Sequence, residues 1–233
     1  MPLKRTYSTT TSIVPAGKKP RTMRKARIAW PINGTVGKPK PFPTRMQARL
    51  RYCETVSVTQ SVNVAGNFCY IANGIYDPNS SGAGHQPYGH DTYSSIYNQY
   101  TVLSSKIKVT PTRFNSASNV ITWGIGIEDA PSSGAAADTW AERPEYSVIA
   151  SCRGDGATGG KPLTKSWNRM KRFPHADTYR ALSAVFGSNP SETETFNIIV
   201  QSADVITALG TVYFFVELEY ICEFYELKDL GSS

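Results

Sequence analysis

Acidic residues are missing from the first 53 positions of this 233-residue chain, because Glu54 is the first of its 18 Asp and Glu. The first 51 residues carry 13 Lys and Arg, which leaves 12 basic and 18 acidic residues in 52–233. The net charge of +7 is therefore the sum of +13 in an N-terminal arm and −6 in the remainder. A polycationic arm on a mildly acidic body indicates two separate roles, one electrostatic and one architectural.

Long apolar runs are also absent, the longest being residues 212–216. Because a helix needs roughly 20 apolar residues to cross a bilayer, we expect no membrane insertion, and the N-terminus lacks the apolar stretch of a secretory signal. The four cysteines are scattered and form no CxxC pair: Cys53, Cys69, Cys152 and Cys222. That spacing favours reduced thiols in a cytosolic or nuclear protein over a zinc site or a disulfide framework.

Histidine is scarce, with three residues in the whole chain. His85 and His90 lie near Asp77 and Asp91 in the sequence, which raises the possibility of a metal site. No third nitrogen or sulfur ligand has suitable spacing, and the Gly and Pro content around them is typical of a structured loop. We therefore predict no metal site and no cofactor.

Two further motifs fall short of catalytic patterns. Residues 154–161 look like a phosphate-binding loop, but Asp155 occupies the position of its first Gly and Pro162 that of its Ser or Thr. His175 is followed by Asp177 without a Ser or Cys nucleophile in a suitable local context. We expect no enzymatic activity.

Residues 1–51 mix their cations with Ser, Thr, Pro and Gly and show no sustained hydrophobic period. Such a segment buries too little apolar surface to offset its ordering entropy, so we predict a disordered basic arm at 1–51 and a folded domain at 52–233. The charge density of the arm predicts nucleic-acid binding through phosphate neutralisation. The residues expected to bind phosphate are Lys4, Arg5, Lys18, Lys19, Arg21, Arg24, Lys25, Arg27, Lys38, Lys40, Arg45, Arg49 and Arg51.

Part of the arm also fits a nuclear import signal, either as its main role or in addition to nucleic-acid binding. Such a signal would make host import factors a partner. The residues concerned are Lys18, Lys19, Arg21, Arg24, Lys25 and Arg27.

A second basic patch surrounds Trp167 and consists of Lys165, Arg169, Lys171 and Arg172. We consider two interpretations of equal weight. The patch extends the phosphate-binding surface onto the body, or it is the solvated end of a strand beside a packed Trp.

From residue 52 the sequence alternates with the period of a β-strand. Ile121, Trp123, Ile125 and Ile127 alternate with small or polar residues, and comparable stripes occur at 102–109, 196–201 and 212–224. No helical pattern of similar strength is present. Long loops at about 74–100, 129–160 and 184–194 join the stripes, which favours a two-sheet β-sandwich.

Several segments together resemble the capsid proteins of small circular single-stranded DNA viruses that encode a replication initiator, the circovirus-like group. Beyond the basic arm, these segments are 70–78 (YIANGIYDP), 84–91 (GHQPYGHD), 97–102 (YNQYTV), 105–109 (SKIKV), 189–190 (NP) and 216–220 (VELEY). They are strand and loop signatures, and the resemblance as a whole runs over most of residues 50–227. Related capsid domains also occur in some small positive-strand RNA viruses.

The resemblance implies an all-β fold, a single eight-stranded viral jelly roll of two packed four-stranded antiparallel sheets. The strands are expected near 52–64, 67–73, 101–113, 119–128, 161–170, 178–186, 194–202 and 211–226. Residues 178–186 fit a short helix equally well.

The resemblance also implies a homo-oligomer of sixty copies in an icosahedral (T=1) shell, with arms inside around a single-stranded DNA genome. Virions, and the host nucleus and cytoplasm during assembly, are then the expected locations, with an unidentified receptor for host cell attachment. Two alternatives remain: the capsid of a positive-strand RNA virus, and a non-capsid nucleic-acid-binding protein of the movement or silencing type. Phosphate contacts carry no base information, so the arm does not separate DNA from RNA.

Overall fold

The computed structural model of the chain describes residues 41–62, 64–114, 120–129, 140–143, 145–146, 148–153, 160–174, 180–202 and 211–229. These residues contain strands β1 (Arg45–Thr59), β2 (Gly66–Ile71), β3 (Tyr97–Phe114), β4 (Val120–Asp129), β5 (Val148–Arg153), β6 (Leu163–Asn168), β7 (Ser183–Val185), β8 (Glu194–Ser202) and β9 (Thr211–Leu227). They also contain helices α1 (His90–Ser94) and α2 (Arg169–Arg172), and a 3-10 helix at Trp140–Glu142. No helix in these ranges is long and apolar enough to cross a membrane.

The strands form two antiparallel sheets. One has the order β1-β9-β3-β6, with β7 pairing to β3 as a fifth strand, and the other has the order β2-β8-β4-β5. With β7 set aside, the remaining eight strands have the connectivity of a jelly roll. The predicted all-β class and eight-stranded jelly roll are thereby confirmed, with one strand more in the first sheet than expected.

The core lies between the two sheets and is built from the alternation seen in the sequence. Trp123 and Ile125 of β4 point inward from the four-stranded sheet, and Phe214 and Val216 of β9 point inward from the five-stranded sheet. The rings of Trp123 and Phe214 meet with centroids 5.0 Å apart. Because side chains on one strand alternate between faces, the residues between these project away from the core.

Two expected strand positions are corrected by the structure. The predicted strand at 178–186 is reduced among its described residues to β7 (Ser183–Val185), which is the additional strand. Strand β5 (Val148–Arg153) falls inside the predicted loop 129–160 and completes the four-stranded sheet. It pairs with β4 alone, and its six residues, VIASCR, show no period-two alternation in the sequence.

The predicted boundary of the arm is also wrong for its last residues. Strand β1 begins at Arg45 instead of residue 52, and it pairs with β9 from Arg45 opposite Tyr225 onward. The pairing reaches this far because β9 continues to Leu227 and provides backbone partners. Residues 1–40 lie outside the described part of the chain, and the prediction of disorder there stays a prediction.

The outward face of the four-stranded sheet is covered by the segment that carries the 3-10 helix. Trp140 and Tyr146 are both buried there, and their rings lie over Gly124 and Gly126 of β4. A Cβ atom at Gly126 would stand 2.7 Å from the ring of Tyr146, and one at Gly124 would stand 2.8 Å from that of Trp140. The two glycines therefore provide the space that these aromatic rings occupy.

Candidate nucleic-acid interface

Three predicted nucleic-acid-binding residues lie on one side of β1. Arg45, Arg49 and Arg51 are exposed. Leu50, which lies between the last two, and Tyr52, which follows them, are buried in the core. The pleat of the strand thus places the three guanidinium groups on the outward face of the five-stranded sheet. The three arginines have this placement because they belong to a strand. The sequence had predicted that all three lie in the disordered arm, which was expected to end at residue 51.

A column of carboxylates on β9 runs beside these arginines. Arg45 Nη1 lies 3.4 Å from Glu223 Oε2, and Arg49 Nη1 lies 3.4 Å from Glu219 Oε2. Arg51 Nε lies 3.7 Å from the same Glu219 oxygen. The arginine side chains are 58–70 % exposed. Exposed pairs of this kind contribute less than about 1 kcal/mol, so the guanidinium groups remain able to exchange partners.

Strand β3 supplies a second cationic column on the other side of β9. Lys106 stands opposite Glu219 in the register, and Lys108 stands opposite Glu217. Lys108 Nζ donates a hydrogen bond to Glu217 Oε2 at 2.6 Å. The alternation around Ile107 indicates that both lysines point away from the core. The sequence did not predict them as site residues, because only the register places them beside the arginines of β1.

Aromatic side chains lie at both ends of this face. The guanidinium of Arg113 sits 5.8 Å from the ring centroid of Tyr213, and that of Arg45 sits 5.7 Å from the ring centroid of Tyr225. Phe215 also projects outward and is 38 % exposed. Arg113, like the lysines of β3, is a residue that the sequence did not assign to the interface.

Between the two cationic columns lies an open depression of about 230 Å³. Three cations and two carboxylates converge on it, together with the exposed thiol of Cys53. Its lining residues are Arg51, Cys53, Lys106, Lys108, Glu217, Leu218 and Glu219. The depression marks the point at which β1, β9 and β3 all contribute charge.

The two sheets differ sharply in charge. The five-stranded sheet carries seven described Lys and Arg on its strands against five carboxylates. The cations are Arg45, Arg49, Arg51, Lys106, Lys108, Arg113 and Lys165, and the carboxylates are Glu54, Glu217, Glu219, Glu223 and Glu226. Among the strand residues of the four-stranded sheet whose side chains are described, none is Lys or Arg, while Glu128, Asp129 and Glu194 are acidic. The acidic body inferred from composition therefore has one basic sheet.

The second predicted basic patch is dispersed. Lys165 points to the same side of β6 as the buried Trp167, and its Nζ donates to the carbonyl of Glu145 at 3.2 Å. Burial lowers the pKa of the Lys165 ammonium. Lys171 is exposed on α2, and its backbone N–H donates to Asn168 Oδ1 at 3.2 Å, which caps that helix.

Arg172 is held by a carboxylate instead of standing free at the surface. Its Nε lies 2.9 and 3.0 Å from the two oxygens of Glu194, which is 1 % exposed. Burial raises the pKa of Glu194, and the interaction with Arg172 opposes that increase. Arg169, at the start of α2, is half-buried. The structure does not gather these four residues, Lys165, Arg169, Lys171 and Arg172, on one surface. Their role in phosphate binding stays a prediction.

The remaining residues predicted to bind nucleic acid lie outside the described part of the chain. They are Lys4, Arg5, Lys18, Lys19, Arg21, Arg24, Lys25, Arg27, Lys38 and Lys40, and six of them form the predicted import signal. The loop at 154–159 and the pair His175 and Asp177 lie outside it as well.

The free edge of β1 is partly covered by the loop that precedes α1. The Tyr88 N–H donates to the carbonyl of Arg51 at 2.9 Å. The two ring nitrogens of His85 lie 2.9 Å from the carbonyl oxygens of Gln86 and Cys53. No cluster of three or more His, Cys, Asp or Glu able to hold a metal ion occurs in the described part of the chain. His85 thus faces two backbone carbonyl groups.

A carboxylate on the inner side of β1 fixes the beginning of that loop. Glu54 accepts hydrogen bonds from the Tyr52 and Tyr70 hydroxyls at 2.5 Å each, and from Asn79 Nδ2 at 2.9 Å. Burial first, and then the hydrogen bond to Glu54, raise the pKa of both phenols. Burial and the charge of Glu54 likewise raise the pKa of Asp77. The cluster joins β1, β2 and the loop.

No protein-family model matches this chain, and no curated protein matches it. Solved structures do. The chain is similar to Desmodium yellow mottle tymovirus with 13 % identity and a TM-score of 0.42, covering 87 % of this chain and 99 % of that one. It is similar to the Macrobrachium rosenbergii nodavirus structure with 11 % identity and a TM-score of 0.48. This match covers 87 % of this chain and 63 % of that one.

A third similar structure is the 60-mer of the BFDV capsid protein. The identity is 11 % and the TM-score 0.42, and the match covers 82 % of this chain and all of that one. At these identities the likeness concerns the fold alone. The structures to which this jelly roll is similar include viral capsid proteins, the BFDV protein among them.

Proposed function

We propose that this protein is a capsid subunit that assembles into a closed icosahedral shell around nucleic acid. The observation that carries the proposal is the joining of two features in one chain. A jelly roll, a fold used to build viral shells, is preceded by 40 residues that hold ten Lys and Arg and no acidic residue. A soluble binding module would need the cations but no such extended sandwich.

The charge of the arm suits an enclosed polyanion. Sixty copies would bring on the order of 600 positive charges from residues 1–40 alone, which neutralise a comparable number of phosphates. Each neutralised phosphate releases counterions, and this release favours packaging at low salt. In the assembled shell the protein has a structural role without catalysis.

The finer parts of the proposal are a T=1 shell of sixty copies, a single-stranded DNA genome and nuclear import by the clusters at 18–27. The sequence resemblance to circovirus-like capsids supports them. A positive-strand RNA genome is the alternative for the cargo, because phosphate contacts are common to both nucleic acids. An unassembled movement or silencing protein is the alternative for the chain as a whole.

The test is expression of the full chain, purification at low salt, nuclease treatment and negative-stain imaging. We expect closed particles of uniform size that protect nucleic acid, and digestion of the extracted cargo with DNase or RNase then identifies it. Small soluble oligomers and no protected nucleic acid would instead support the movement or silencing type.

A matched pair of variants separates charge from chain length. One variant lacks residues 2–40, and the other keeps the full length with the ten Lys and Arg of this segment changed to Gln. Both are expected to lose protected nucleic acid, because each removes the same charge. Unchanged packaging in the Gln variant would contradict the role of the arm.

A further inference from the structure

The outward face of the five-stranded sheet combines features that the arm alone does not explain. Its cations come from two strands that are far apart in sequence, β1 and β3, and β9 lies between them. The face holds six cations, Arg45, Arg49, Arg51, Lys106, Lys108 and Arg113, and three carboxylates, Glu217, Glu219 and Glu223. A positive excess remains even when Glu226 at the end of β9 is counted.

We propose that this face binds single-stranded nucleic acid directly, with the cations of β1 and β3 on the phosphates and the aromatic rings of β9 on the bases. The inference rests on the proposed function and deepens it. It assigns Lys106, Lys108 and Arg113, which lie outside the arm, to the same cargo.

The ion pairs already on the face do not prevent phosphate binding. Arg51 is 70 % exposed and lies 3.7 Å from Glu219, a carboxylate that it shares with Arg49. Exposed pairs of this length are weak in water, whereas guanidinium groups bind phosphate with two parallel hydrogen bonds. A phosphate that enters the depression between Arg51 and Lys106 therefore competes with Glu219 for its cations.

Aromatic rings on the same face select nucleic acid over other polyanions. Phe215 is exposed beside Tyr213, whose ring lies against Arg113, and both stand at one end of the sheet. Single-stranded nucleic acid is bound by cationic surfaces that carry aromatic side chains, because phosphates take the charge while bases stack. A sulfated glycan would use the cations but has no bases to stack on Phe215.

The first cationic strand of the face follows the basic arm in the sequence. The first strand of the sheet begins at Arg45, directly after the basic segment in the sequence. The described strand side chains of the four-stranded sheet provide no Lys or Arg for such binding.

The test measures binding of a fluorescent single-stranded oligonucleotide to the full chain over a series of salt concentrations. Removing one phosphate-binding cation lowers the slope of log K against log salt by about 0.7 for a single strand. For Lys106→Ala with Lys108→Ala, the slope is expected to decrease by about 1.4. Lys161→Ala with Arg180→Ala removes the same charge from exposed positions outside the strands and is expected to leave the slope unchanged.

A second double variant guards against loss of folding as an explanation. Glu217→Gln with Glu219→Gln frees the cations of the face and is expected to tighten binding, which an unfolded domain would not do. Photo-crosslinking of the bound oligonucleotide is expected at Tyr213 or Phe215. Crosslinks confined to residues 1–40, or equal slopes for the two alanine pairs, would overturn the proposal.

Two outcomes distinguish this inference from its premise. One outcome is that Lys106→Ala with Lys108→Ala weakens binding to heparin but leaves the oligonucleotide slope unchanged. The face is then a glycan-binding surface, and the inference is wrong without affecting the proposed capsid function. If the wild type forms no closed particles, the capsid function fails. The oligonucleotide slopes and crosslinks are measured in both cases and decide the face on their own.

Discussion

His85 lies against Tyr52 with ring centroids 4.4 Å apart, and each of its nitrogens is 2.9 Å from a backbone carbonyl oxygen. A neutral imidazole has one N–H, so only one of these carbonyl groups can then accept a hydrogen bond from His85. The imidazolium donates to both. These hydrogen bonds raise the pKa of His85, and the nearby charge of Glu54 adds to the effect. The loop is therefore held to β1 more firmly when His85 is protonated.

The first prediction is a pH-dependent stability contribution from His85. Because the folded-state pKa is raised, the contribution is fully present below the ordinary pKa of about 6.5 and is lost as the pH rises through the folded-state value. The wild type is expected to exceed His85→Gln in free energy of unfolding by on the order of 0.5 kcal/mol at pH 5, and by less at pH 8. Denaturant unfolding across this range measures the difference. An NMR titration in which His85 has a pKa below about 6.5 would contradict the mechanism.

The second prediction concerns the close packing of Tyr146 on β4. Gly126→Ala places a methyl group 2.7 Å from the ring carbons, and the ring cannot move without breaking its 2.7 Å hydrogen bond to Glu128. We expect a loss of about 1–3 kcal/mol in the free energy of unfolding. Thr122→Ala, on the same face of the same strand, is the control and should cost less than about 1 kcal/mol. An equal loss in the free energy of unfolding for Gly126→Ala and Thr122→Ala would contradict the role of close packing at Gly126.

The third prediction addresses the three hydrogen bonds that Glu54 accepts. Glu54→Gln keeps the shape but replaces one acceptor oxygen with an amide nitrogen, so one of the donors, Tyr52, Tyr70 or Asn79, loses its partner. The expected destabilisation is about 1–3 kcal/mol, measured by denaturant unfolding. Glu219→Gln makes the same chemical change at an exposed pair and should alter stability by less than about 1 kcal/mol. If Glu219→Gln lowers the free energy of unfolding as much as Glu54→Gln does, the loss at Glu54 does not come from its buried hydrogen bonds.

The fourth prediction concerns Arg172 and the buried Glu194. Arg172→Ala leaves a carboxylate that is 1 % exposed without the guanidinium that neutralises it. Because Arg172 itself is half-exposed, we expect a loss of about 1–3 kcal/mol at pH 7. Because burial raises the pKa of Glu194, the carboxyl takes up a proton as the pH falls, and the deficit of the variant should shrink towards pH 4. Adding Glu194→Gln should recover part of the loss. A deficit independent of pH would rule out the uncompensated charge as its cause.

Much of the fold could be predicted from the sequence, and the exceptions have physical causes. The stripe at 121–127 marks β4, because one face of this strand is apolar while the other carries two glycines. The first residues of β1 also alternate, with Arg45 and Arg49 on one side and Leu50 on the other. Their high charge made them look like part of the arm. Strand β5 (VIASCR) has no strong alternation, so no pattern in the sequence predicted it.

The candidate site was predicted only in part. Arg45, Arg49 and Arg51 were identified from charge, and the structure places all three on one face. Trp167 is buried, which agrees with the interpretation of a packed Trp beside a strand end, and Arg172 pairs with Glu194. Charge density along the sequence reports how many cations a segment holds. It does not report which of them a neighbouring strand will neutralise.

The sequence by itself determined the division of charge between arm and body, and the inward or outward direction of side chains within each strand. Both are local properties, since they depend on composition and on the pleat of a single strand. Only the tertiary structure decided that Arg51 and Lys106 flank the same carboxylate, Glu219. Their meeting requires β9, far along the chain, to pair with both β1 and β3. Pairing between distant strands depends on packing the whole sandwich, so no local pattern reveals it.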